Sequence, residues 1–196
     1  VSPLKNRSWS ALALVIALAA SSCQSTPDPN LDWFEGGALK PTTAQTLQLT
    51  ARVLASRGDT TRAGYVIERM QREHPDYLGT YTEGAEVLLA EGRITEAIAW
   101  LDRGLERFPG NAVLSNDRGL CHLLAADLAH ATADFEAAYE LDSSDAEYVS
   151  NLALARALGG DASAAEALWN RVLPPADVRA NLAIAEASRA RFAPAN

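Results

Sequence analysis

Few residues in this chain could do covalent or metal chemistry: Cys23, Cys121, His74, His122 and His130. Cys121 and His122 are neighbours, and a thiol with an imidazole is the pair that a cysteine nucleophile needs. The two side chains must converge in space. Consecutive residues on a helix project about 100° apart and do not face each other, so Cys121 reads as a small buried apolar residue. A zinc site needs three or four Cys, His or carboxylate ligands at short, characteristic spacings. His74 precedes Pro75, His122 lies inside one helical pattern and His130 opens the next. None stands with Cys or carboxylates at such a spacing, and the expectation is no metal and no cofactor. The sequence also shows no phosphate-cradling loop, no Gly-x-Ser-x-Gly turn and no paired catalytic carboxylates. That points away from an enzyme.

Charge narrows the partners. The chain carries 17 basic and 25 acidic residues, a net of −8, and its only lysines are Lys5 and Lys40. Nucleic-acid binding draws on clustered Lys and Arg, so no nucleic-acid partner is expected. Alanine, leucine and glutamate recur at helical spacing, with almost no alternation of β-branched residues. The fold class is all-α.

Residues 1–22 read as an export signal. Lys5 and Arg7 precede an apolar run at 8–20, which as a helix spans roughly 20 Å against a hydrocarbon core of ~30 Å. Ser21-Ser22-Cys23 then resembles the lipobox of bacterial lipoproteins, with Ala20 where that pattern usually has Leu. The resemblance implies lipidation of Cys23. Each acyl chain would contribute on the order of 10 kcal/mol of membrane affinity. With Gln24 rather than Asp next, it implies a lipid anchor in the outer membrane, facing the periplasm. An ordinary signal cut nearby would leave Cys23 without that role. Acylated Cys23 would leave Cys121 without a disulfide partner. Residues 23–43 form a tether rich in Pro, Gly, Ser, Thr and Asp. Within it, Trp33-Phe34 either packs back on the first helix or serves as a docking element.

The stretch Arg57-Gly58-Asp59 is also the tripeptide of cell-adhesion ligands. The elements that carry it decide its meaning. Gly58 recurs as Gly92, Ala126 and Gly160, each 34 residues on. Five residues later stands alanine each time: Ala63, Ala97, Ala131, Ala165. Seven earlier stands Ala51, Ala85, Gly119 or Ala153. Three small-residue columns in one register resemble the tetratricopeptide repeat (TPR), a helix-turn-helix unit of 34 residues. The units are 44–77, 78–111, 112–145 and 146–175, with a capping helix at 176–192. Helices are expected at 44–57, 60–73, 78–91, 94–107, 112–125, 128–141, 146–159 and 162–173. Small residues let the paired helices approach, while Leu54, Ile67, Leu88, Leu101, Phe135 and Trp169 fill the layers between repeats. Gly58 then closes a helix in the left-handed conformation. Asp59 or Thr60 caps the next, and the adhesion reading falls away.

In TPR arrays the first helix of each pair lines the concave side. The register places Gln45, Gln48, Arg52, Thr82, Glu86 and Leu89 there, followed by Val113, Asn116, Leu120, Leu123, Leu124, Ser150, Leu154, Leu158 and Ile184. This groove is polar at its N-terminal end and apolar at its C-terminal end. An apolar groove suits an amphipathic or extended segment of a protein partner. The chain's own terminal helix is the competing occupant. Asn116, Asn151 and Asn181 could hydrogen-bond a bound backbone or satisfy neighbouring helix ends.

The signal with Cys23, the repeat array and the closing run 151–187, with its paired Asn-Leu-Ala at 151–153 and 181–183, resemble a lipoprotein family. These are the small TPR lipoproteins of the tight-adherence (Tad, Flp-type) pilus system, the TadD family. The resemblance implies a scaffold that helps the pilus secretin assemble, with the secretin or another pilus or envelope component as partner. The alternative is a TPR lipoprotein of another envelope machine: outer-membrane protein assembly, type IV pilus biogenesis or cell-wall enzyme regulation.

Overall fold

The computed structural model describes residues 42–192. The signal at 1–22, Cys23, Trp33-Phe34 and nearly all of the tether lie outside the described residues. Within them the chain forms α1 (Ala44–Ser56), α2 (Thr60–Glu73), α3 (Leu78–Ala90), α4 (Ile94–Arg107), α5 (Ala112–Leu124), α6 (Leu128–Leu141), α7 (Ala146–Leu158), α8 (Ala162–Trp169) and α9 (Pro175–Ser188). A 3₁₀ turn, Arg189–Arg191, closes the series. No strand occurs among the described residues, and none of these helices is long and apolar enough to cross a membrane.

Each helix pair is joined by the same turn. The amide of Asp59 donates to the carbonyl of Leu54 and that of Gly58 to Ala55. Arg93 to Leu88, Asp127 to His122 and Asp161 to Arg156 repeat the longer bond, each at 2.9 Å. This pattern satisfies the last carbonyls of a helix and needs a left-handed residue one place before the second donor. That residue has φ +77° at Gly58, +73° at Gly92 and +97° at Gly160, and +61° at Ala126. The Arg57-Gly58-Asp59 stretch is thus a helix stop followed by a cap. Asp59 accepts the amide of Arg62, as Asp127 and Asp161 accept those of His130 and Ala164. Such a cap stabilises its helix by about 1 kcal/mol.

The small-residue columns sit where paired helices cross. Ala51, Ala63, Ala85, Ala97, Ala131, Ala153 and Ala165 are all buried. At Gly119 a Cβ would lie 2.7 Å from Cε1 of Phe135, so this crossing admits only glycine without movement. Leu54, Ile67, Leu101, Phe135 and Trp169 fill the core between pairs, and Leu88 is half-buried beside them.

The fourth pair departs from the expected 162–173. Helix α8 stops at Trp169, and tight bonds from Val172 and Leu173 to the Trp169 carbonyl turn the chain. Pro174-Pro175 bars the helix from resuming in phase: a residue before proline is pushed out of helical geometry, and proline itself suits the first position of a new helix. Helix α9 therefore begins at Pro175 and packs on α7 and α8, burying Val178 and Ala185. Arg179, Glu186, Arg189 and Arg191 are exposed on its other side.

Candidate protein-binding groove

The first helices of the pairs lie side by side, α1 against α3 and α3 against α5. Their shared face begins with a buried charge. The Glu83 carboxylate is 1% exposed, and Arg52 reaches across from α1 to donate to it at 2.7 Å. Gln48 donates to the same carboxylate at 3.3 Å, and its own carbonyl accepts the Tyr77 hydroxyl at 2.5 Å. A buried carboxylate without such partners would be costly. Here it ties two repeats together.

Beyond this network lies a hollow of about 240 Å³, lined by Thr82, Glu86, Leu89, Asp117, Leu120 and Glu147 among others. Leucines and carboxylates share its wall. Burial, then the nearby charges of Glu147 and Glu86, push the Asp117 carboxyl up to about 6. Cys121 also lines the hollow and is fully buried. Desolvation, then Asp117 and Asp134, push its thiol up to about 11, so it stays protonated and inert at neutral pH.

Two of the three candidate groove asparagines bond to each other. Asn116 is buried. Its amide donates to Glu147 Oε1 at 2.8 Å, and its carbonyl accepts from Asn151 Nδ2 at 2.8 Å. Asn151 and Asn116 thus engage each other between repeats, because α5 and α7 bring these positions within reach. Asn181 is half-buried on α9.

The apolar C-terminal half is partly covered by the chain itself. Leu158 is buried, not groove-lining, in a cluster with Trp169, Val178 and Ala185. Leu123, Leu154 and Leu182 pack around that cluster. The physical reason is the position of α9, which takes the place of another first helix and lays its apolar side over α7. Leu120 and Leu123 are half-buried, and Leu124 and Ile184 stay exposed, at 61% and 62%. The open, mixed acidic and apolar hollow therefore lies further toward the N-terminus than the sequence reading placed the apolar groove. Thr82, Glu86, Leu89 and Leu120 belonged to that reading. Asp117 and Glu147 did not, since their approach depends on how successive repeats stack.

Two of the three histidines come together in the fold. Spacing along the chain left them apart, but the third hairpin folds the last turn of α5 onto the first turn of α6. The His122 and His130 rings stack with centroids 5.1 Å apart. Asp127 Oδ2 lies 2.7 Å from His130 Nδ1. His122 Nε2 stands 3.8 Å from Asp134, a carboxylate that Arg118 grips with two hydrogen bonds. Cys121 lines the hollow between the repeats instead.

No protein-family model and no curated protein matches this chain. Solved structures do. It is similar to TTC0263, a thermophilic TPR protein of Thermus thermophilus, with TM-score 0.64 and 24% identity over 76% of this chain and 84% of that one. It is similar to YrrB, a TPR protein with an unusual peptide-binding site, with TM-score 0.58 and 18% identity over 76% and 79%. The first TPR of Spaghetti (RPAP3), bound to an HSP90 peptide, aligns with TM-score 0.51 and 22% identity over 58% and 93%. At these identities the likeness shows the fold: an all-α TPR array.

Proposed function

We propose that this chain is a non-enzymatic docking scaffold that holds a segment of a protein partner along the face of its first helices. The observation that carries the proposal is the hollow between α3, α5 and α7, where Leu89 and Leu120 lie beside Glu86, Asp117 and Glu147. Apolar walls gain from burying partner side chains, and the carboxylates favour a segment that also carries Lys or Arg. Two solved structures of the same fold, YrrB and the Spaghetti domain, have a peptide-binding site or a bound peptide, which supports the same use here. We further propose lipidation of Cys23, a place on the outer membrane facing the periplasm, and a role in Tad pilus assembly beside its secretin. These finer readings rest on the sequence resemblance.

Site-specific photo-crosslinking from Leu89 in the native host tests the proposal. Capture of a secretin or another pilus component is expected. Capture of a barrel-assembly protein would redirect the reading to another envelope machine. No adduct except within the chain itself would overturn docking at this face.

A further inference from the structure

We propose that His122, Asp127 and His130 form a binding site for a divalent transition-metal ion of the zinc type at the third helix hairpin. Their ligand atoms all lie within 4.8 Å of one another. Tetrahedral zinc bonds of about 2.0–2.1 Å to nitrogen and oxygen set neighbouring ligand atoms about 3.4 Å apart. Reaching that spacing asks the Asp127–His130 pair, now 2.7 Å apart, to open and the wider pairs to close, each by a side-chain adjustment on the order of 1 Å. The His130 ring is 71% exposed and free to make it, while His122, at 16%, is held by its surroundings.

The repeat itself supplies a comparison. At the place of His122 the first two repeats hold Leu54 and Leu88, which pack into the core. At the place of His130 they hold Arg62 and Glu96, each paired with the residue at the cap, Asp59 and Arg93. A cap pair alone would account for Asp127 and His130. It does not account for an imidazole in place of a core leucine, turned onto the second imidazole. Capping uses one oxygen of Asp127: Oδ1 accepts the His130 amide, while Oδ2 is hydrogen-bonded to His130 Nδ1, a contact that a metal ion between the two would replace.

The surroundings suit ligation. Asp134 Oδ2 stands 3.8 Å from His122 Nε2 and is fixed by Arg118. A carboxylate that hydrogen-bonds a ligating imidazole orients the ring and raises its basicity, and Asp134 would take that role on closing by about 1 Å. Two imidazoles and one carboxylate prefer zinc, nickel or copper over magnesium or calcium. Three protein ligands leave a coordination position for water or for a partner's side chain.

The test is isothermal titration calorimetry of the whole chain, free of any histidine tag and in a Cys23→Ser background, with zinc chloride and with magnesium chloride as the control. His122→Leu and His130→Arg introduce residue types that the other repeats already carry at these places, so both variants are expected to keep the helical circular-dichroism spectrum. The expected result is one zinc per chain with micromolar affinity, no magnesium binding, and at least a tenfold weakening in each variant. Zinc should also shift the imidazole NMR signals of His122 and His130 and leave those of His74 in place. Absence of one-to-one zinc binding, or affinity within threefold of the parent in both variants, overturns the proposal.

Discussion

Ala126 occupies a backbone position that its three counterparts give to glycine. Its φ of +61° brings a Cβ close to its own carbonyl, at a cost of about 1–2 kcal/mol that glycine avoids. Ala126→Gly should therefore stabilise the chain by roughly 1 kcal/mol, or about 2–4 °C in Tm, after the greater freedom of an unfolded glycine is allowed for. Urea denaturation checks this, and Gly58→Ala should move stability the opposite way by a similar amount. The left-handed turn was legible because glycine at 58, 92 and 160 holds one register. That Ala126 adopts the same conformation was implied only by its place in the column. Asn116 was not legible: an inward-facing asparagine bonded to Glu147 and Asn151 looks, in sequence, like any polar groove residue. Its partners lie 31 and 35 positions away, where side-chain direction, not spacing, decides contact.

At the scale of the helix pair, the crossing distance sets what each column tolerates. A Cβ at Gly119 would meet Phe135 at 2.7 and 2.8 Å, and Phe135 is fully buried with nowhere to retreat. Gly119→Ala should cost about 1–3 kcal/mol through overpacking. Gly64 provides the contrast: it lies within α2, and a Cβ there meets nothing within 4 Å. Gly64→Ala should gain about 0.5–1 kcal/mol from helix propensity. Thermal unfolding of the two variants separates close packing from backbone entropy. The small-residue columns announced these crossings in the sequence. The shortened α8 was only half announced, since Pro174-Pro175 marks a stop but the chain leaves helical geometry earlier, after Trp169. Likewise, His122 and His130 sit on different helices of one hairpin, and only the folded turn stacks their rings.

Across the whole molecule, an acidic chain gathers Glu86, Asp117 and Glu147 around one hollow. The Asp117 pKa near 6 lies above the ordinary aspartate range. Between about pH 4 and 6 the folded chain thus binds more protons at this group than the unfolded chain does. The sign follows: this carboxyl favours the fold on the acid side, and stability declines as pH rises from about 4 through about 6. Asp117→Asn should stabilise the chain by about 1–2 kcal/mol at pH 7.5, discounted for solvent screening, and the advantage should vanish near pH 4. Chemical denaturation at the two pH values checks both halves of the prediction. A basic partner segment seated in the hollow would offset the same repulsion.

The abrupt end of α8 has a consequence for how such a chain can change length. Duplication of a whole 34-residue unit upstream of Ala146 keeps every crossing and every turn in phase, because both faces of an internal unit are already complementary. The same insertion after Trp169 would meet an early turn, a helix that starts at Pro175, and an outer side carrying Arg179, Glu186, Arg189 and Arg191. The array is therefore open to growth within its repeats and resists insertion between Trp169 and Pro175. A longer version of this chain, natural or engineered, should gain units upstream of Ala146 and keep α7, α8 and α9 together.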